Sequence, residues 1–174
     1  MKIIDLTKTL YEGMPVYPGD PEVHITTTHT YDSHSWLLRT LSLGSHTGTH
    51  VDAPAHMHEN GDNLDDLPAE RFMGKSKVVR LQDTFPIERG LFFIEEATLQ
   101  DAHKITASQP LFVGGNITEA LERELLRQGI ITYTHLVNLE QLTDEFLFIG
   151  LPLKIAQGDG SPIRAIAMIN EVDK

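Results

Sequence analysis

The sequence predicts a single mixed α/β domain over residues 1–174, with strands outnumbering helices. Three features carry this reading. Short apolar or β-branched runs fill the first half, one amphipathic helical pattern lies past the middle, and the tail sets two apolar runs around a Gly-rich turn. In order, "KIIDL" (2–6) and the Thr-rich "VHITTTHTY" (23–31) read as strands. Between them "MPVYPGDP" (14–21) carries three prolines and is turn or extended loop. "SWLLRTLSLGSHTGTHVDAP" is mostly β-compatible and ends at Pro54. "SKVVRL" (76–81) and "GLFFIE" (90–95) read as buried strands, and a short helix is expected over 95–104. The clearest helix is 116–129, with Asn116 as N-cap, Glu119 three residues on and Gly129 as the C′ residue. Its expected apolar face is Ile117, Ala120, Leu121 and Leu125. "EFLFIGLPLKI" and "IRAIAMI" are expected to form a hairpin across "AQGDGSP".

Composition narrows the function. A net charge of −11, from 25 acidic against 14 basic residues, argues against nucleic acid and anionic membrane, which are bound through basic patches. The chain has no cysteine, so a tightly held metal must use His, Asp, Glu or backbone oxygen. No segment has signal-peptide character or approaches the roughly 20 apolar residues of a membrane span. A cytoplasmic enzyme or binding protein is expected.

The chemistry concentrates in "SHTGTHVDAPAH" (45–56), which places His46, His50, Asp52 and His56 within a dozen positions. On a helix, His46 and His50 would share a face, but Gly48, Pro54 and the β-branched Thr47, Thr49 and Val51 disfavour one. On a strand, all four have the same parity and point one way. A flat strand would hold residues four apart at about 13 Å, too far for two imidazoles to reach one ion comfortably. The chain must therefore fold back, and Gly48 lies midway, where a bend is sterically free. Two histidines and a carboxylate around an ion, with a kink at Thr47–Gly48, are expected. His56 is either a further ligand or a free imidazole able to move protons beside the metal. His58 reads as solvated loop.

The same residues resemble a family signature. "HTGTHVDAPAH" matches the His-x-Gly-Thr-His-x-Asp-x-Pro-x-His motif of the cyclase family of metal-dependent hydrolases, which includes bacterial kynurenine formamidase and isatin hydrolase. "DLTKTLYEGMPVYPGDP" and "LVNLEQL…FLFIGLPLKIAQGDGSPIRAIAMI" resemble the two ends of that family, so the likeness covers most of the chain apart from about residues 82–115. The resemblance implies a swivelling β/β/α fold, a homo-oligomer (dimer or tetramer) and a Zn²⁺ or Mn²⁺ ion. It implies that His46, His50 and Asp52 are metal ligands and that His56 is the catalytic histidine. It further implies hydrolysis of a small amide, lactam or lactone, in which metal-activated water attacks a carbonyl and His56 shuttles the proton.

Two departures from the family stand out. Relatives complete a second metal site with a His and, twelve residues later, a Glu. An ungapped match puts Glu122 at the first position and Thr134 at the second. Glu122 can still ligate, or it can be the exposed face of an acidic helix. Thr134 is a poor replacement, and His135 on a strand would face the other way. The chain is also shorter than relatives around residue 112. One ion is therefore expected, and a catalytically weakened member binding one metal or a small molecule without turnover is the alternative. Tyr17, Trp36 and Phe72 are candidates for a substrate pocket or for core packing.

Overall fold

The computed structural model describes residues 1–142 and 145–169. One nine-stranded mixed sheet organises the chain. Its strands are β1 (Lys2–Asp5), β4 (His50–Asp52), β5 (Met73–Val79), β6 (Gly90–Ala97), β7 (Val113–Ile117), β8 (Thr132–Thr134), β9 (Phe146–Ile149), β10 (Gly160–Pro162) and β11 (Ile166–Ile169), in the order β1-β11-β9-β5-β6-β7-β8-β4-β10. β5, β6, β7 and β8 run parallel, and every other pairing is antiparallel. A separate hairpin, β2 (His24–His29) with β3 (Leu38–Ser42), encloses a four-residue helix, α1 (Tyr31–His34). The mixed α/β class expected from sequence is the one observed.

The parallel strands need crossovers, and α2 (Ala102–Ala107) and α3 (Glu119–Arg127) supply them between β6, β7 and β8. Period-two alternation on β6 sorts the core into two faces. Leu91 and Phe93 pack with Ile105, Val113, Leu121 and Leu125 beneath the helices. Phe92 points to the opposite face, where it joins Phe112, Tyr133, Phe146 and Phe148 in a cluster of tilted and edge-on rings. Phe72 belongs to that core, whereas Tyr17 and Trp36 are exposed.

Several expected boundaries move. The long helix begins two residues later than its pattern suggests, with Thr118 rather than Asn116 as N-cap, accepting from Leu121 N at 3.4 Å. Asn116 and Ile117 belong instead to β7, where Ile117 pairs with Ala97. Sheet pairing wins over the capping signal. The buried face of α3 is Leu121, Leu125 and Leu126, and Gly129 takes the left-handed φ of 75° expected of a C′ glycine. The short helix expected over 95–104 gives way to strand as far as Ala97, then one 3₁₀ turn (Leu99–Asp101) and α2. The tail is not a tight hairpin. β9 does pair with β11, but between them the chain crosses to the far edge as β10 and pairs with β4. No helix among the described residues is long and apolar enough to cross a membrane.

Candidate metal centre

β4 lies between β8 and β10, and its alternation builds the site. Val51 points into the aromatic core with Tyr133 as its cross-strand partner, while His50 and Asp52 point the other way opposite Thr134 and Thr132. His50 and Asp52 are 5% and 1% exposed, which places an imidazole and a carboxylate where water cannot compensate them. The bend expected between His46 and His50 is present. Gly48 takes φ +66°, and a Cβ there would lie 2.7 Å from Leu10 Cδ2. His46 therefore sits in a turn rather than on the strand, and it swings back toward Asp52. Pro54 then opens a 3₁₀ turn, Pro54–His56, that brings the His56 ring to 3.8 Å from the His46 ring.

The polar contacts fix the geometry. His46 Nδ1 donates to Asp52 Oδ1 at 2.7 Å, and its Nε2 donates to Asp159 Oδ2 at 2.8 Å. Both partners are carboxylate oxygens, so both ring nitrogens carry protons and His46 is an imidazolium. Burial alone disfavours that charge, but the hydrogen bonds to Asp52 and Asp159 outweigh it and raise the group from 6.5 to about 9. Burial likewise pushes the Asp52 carboxyl up, yet hydrogen bonds from His46 and His50 hold it well below the carboxylate range. His50 Nδ1 donates to the Gly48 carbonyl at 2.8 Å, which directs Nε2 toward Asp52 Oδ1 at 3.3 Å and Thr134 Oγ1 at 2.9 Å. His56 is lowered, first by burial and then by the neighbouring His46 charge, which favours a neutral imidazole.

Among the described residues, two clusters bring His and Asp ligand atoms within 4.8 Å of one another: His46–His50–Asp52 and His46–His56–Asp159. The first joins three of the four residues expected as ligands, and its donor set could hold a metal ion. Glu122 is in neither cluster, although it is not a solvated helix face. It turns inward from the first turn of α3, accepts from Thr132 Oγ1 at 2.8 Å and meets Asp52. Burial, then the Asp52 charge, raises its carboxyl to about 7.

Sequence reasoning missed two residues. His135 does not face away: β8 ends at Thr134, and a left-handed φ of 55° turns the His135 ring to 5.5 Å from His50. Asp159 falls in the stretch "AQGDGSP" that the sequence marks as a turn. The available signal was its place between Gly158 and Gly160, since glycine on each side marks backbone held close to a neighbour. A Cβ on Gly160 would lie 2.4 Å from His46 Cε1. His58 lies in the loop expected there and meets the Arg123 carbonyl of α3 at 2.8 Å.

A nine-stranded mixed sheet carrying a His/Asp cluster on β4 and its flanking turns defines the class, and the chain belongs to the Cyclase family. That family's model ("Putative cyclase") matches residues 4–114, including much of the stretch the motif-based resemblance left out. Among known proteins, the chain is 30% identical over 205 residues to a kynurenine formamidase of Salinibacter ruber, covering 95% of this chain and 97% of that one. Among solved structures it is similar to isatin hydrolase A of Labrenzia aggregata bound to benzyl benzoate, with a TM-score of 0.84, 23% identity and coverage of 98% and 94%. A structure described as a potential metal-dependent hydrolase with cyclase activity matches with a TM-score of 0.74, 23% identity and coverage of 95% and 96%.

Proposed function

We propose that this protein is a metal-dependent hydrolase of a small amide, lactam or lactone, of the arylformamidase kind. The observation that carries the proposal is the convergence of His46, His50 and Asp52 within 4.8 Å, with His56 stacked beside them. In this reading His46 Nδ1, His50 Nε2 and Asp52 Oδ1 hold Zn²⁺ or Mn²⁺. A divalent ion there would supply Lewis acidity, polarising a carbonyl oxygen and acidifying water. The protein's own residues do the rest. The Gly48 carbonyl fixes the His50 tautomer, and β4 presents His50 and Asp52 on one face. His56, neutral and 29% exposed, accepts a proton from attacking water and returns it to the leaving nitrogen or oxygen. Glu122 borders the same site through Asp52 and is the candidate fourth ligand.

One observation favours a second reading, a weakened family member that binds one ion without turnover. Thr134 stands beside His50 with a hydroxyl in place of a carboxylate ligand. Purified protein stripped of metal, reloaded with Zn²⁺ or Mn²⁺ and assayed on N-formylkynurenine and a panel of amides and lactones separates the two. Turnover that depends on the ion supports the hydrolase. Tight binding with no turnover on any substrate supports the second reading. The family likeness also supports a homo-oligomer acting on small molecules, and sedimentation of the purified protein tests its assembly state.

A further inference from the structure

Asp159 lies outside the His-rich motif and reaches the site from the other end of the chain. The β10–β4 pairing delivers it: Gly160 is the cross-strand partner of Asp52, and Ala53 N donates to the Asp159 carbonyl at 2.9 Å. Ser45 donates to the carboxylate as well. Gly160, which leaves no room for a side chain against His46, lets the backbone come this close. One oxygen, Oδ2, stands 2.8 Å from His46 Nε2 and 3.8 Å from His56 Nδ1, while the two rings lie 3.8 Å apart.

We propose that Asp159 is a positioning residue that orients His46 as a metal ligand and His56 as the proton-transfer group at once. The inference rests on the proposed metal site. A carboxylate can only accept, so its contact with His46 Nε2 fixes a proton there and turns Nδ1 toward Asp52 and His50. A carboxylate behind a ligating histidine also raises the ligand's basicity. The same oxygen faces His56 Nδ1. When it accepts from that nitrogen, it fixes the tautomer whose Nε2 is the free base. Asp52, buried and bonded to both His46 and His50, cannot serve His56 in the same way. A ligand and a base joined through one acidic side chain are thereby held in register by a segment some hundred residues away.

Two readouts test the two halves of this role. Zinc affinity of the metal-stripped protein is measured by competition with a chromophoric chelator, and hydrolysis of N-formylkynurenine is measured at saturating zinc. Asp159→Asn, which keeps the shape, and Asp159→Ala are each compared with the unaltered protein after circular dichroism confirms folding. The expected result is a loss of zinc affinity of about 10–100-fold. At saturating zinc, kcat falls while KM changes little. In ¹⁵N spectra the His56 ring loses its preference for a proton on Nδ1, a change that a purely structural role would not produce. Unaltered affinity, kcat and tautomer in folded Asp159→Asn protein would overturn the inference and leave the metal site standing. Failure of the unaltered protein to bind zinc would overturn the site itself, and the inference with it.

Discussion

His46 is an imidazolium clamped between two carboxylates, Asp52 and Asp159. Its raised value sets the pH behaviour of the metal-stripped protein. A histidine raised from 6.5 to about 9 contributes stability that is fully present below pH 6.5 and is lost as pH rises through about 9. Glu122, raised from 4.5 to about 7, favours its neutral form, so its contribution is lost between those values. The signs agree, and the Tm of stripped protein should fall between pH 6.5 and 9. Glu122→Gln should flatten the part of the profile below pH 7, and a Tm that rises between pH 7 and 9 would contradict this account. His56→Ala should keep its bound metal and lose turnover by about 10²–10⁴-fold, the usual worth of a positioned acid–base group. Full activity in that variant would remove the proton-transfer role. Most of these residues were legible because the motif is local and of one parity. His135 was not, because parity holds only while the chain stays extended, and a positive φ at that residue breaks it.

At the scale of elements, the bend at Gly48 was legible and the start of α3 was not. Ligand spacing demanded a fold-back, and only one residue between His46 and His50 could supply it without strain. Gly48→Ala should therefore destabilise the protein by at least about 1 kcal/mol from backbone strain alone. Denaturant melts would show this, and an unchanged midpoint would mean that the bend is made elsewhere. For α3 the local pattern points to Asn116 as the cap, yet Thr118 is the residue that caps it. The choice is made by β7, whose pairing of Ile117 with Ala97 keeps the chain extended as far as the residue before Thr118. Thr118→Ala should cost about 0.5–2 kcal/mol in the same melts, and Asn116→Ala should cost less.

Across the whole molecule, what escaped the sequence is what depends on distant pairing. The tail reads as a hairpin because two apolar runs flank a turn, yet the chain between them crosses to the edge of the sheet and carries Asp159 to the site. No local periodicity encodes that excursion. Length tells a similar story. The match to the Salinibacter ruber protein runs over 205 residues, more than this chain contains, while covering nearly all of both proteins, so the shortening is internal. β7 passes to α3 through Thr118 alone. The aromatic core that supports β8 and β9 is intact, and Phe148→Ala should cost about 3–5 kcal/mol. The most direct test of the central claim is a calorimetric zinc titration of metal-stripped protein and its His50→Ala variant. The account predicts one ion per chain for the unaltered protein and no comparable binding once His50 is gone. Equal binding by both, or none by the unaltered protein, would contradict it.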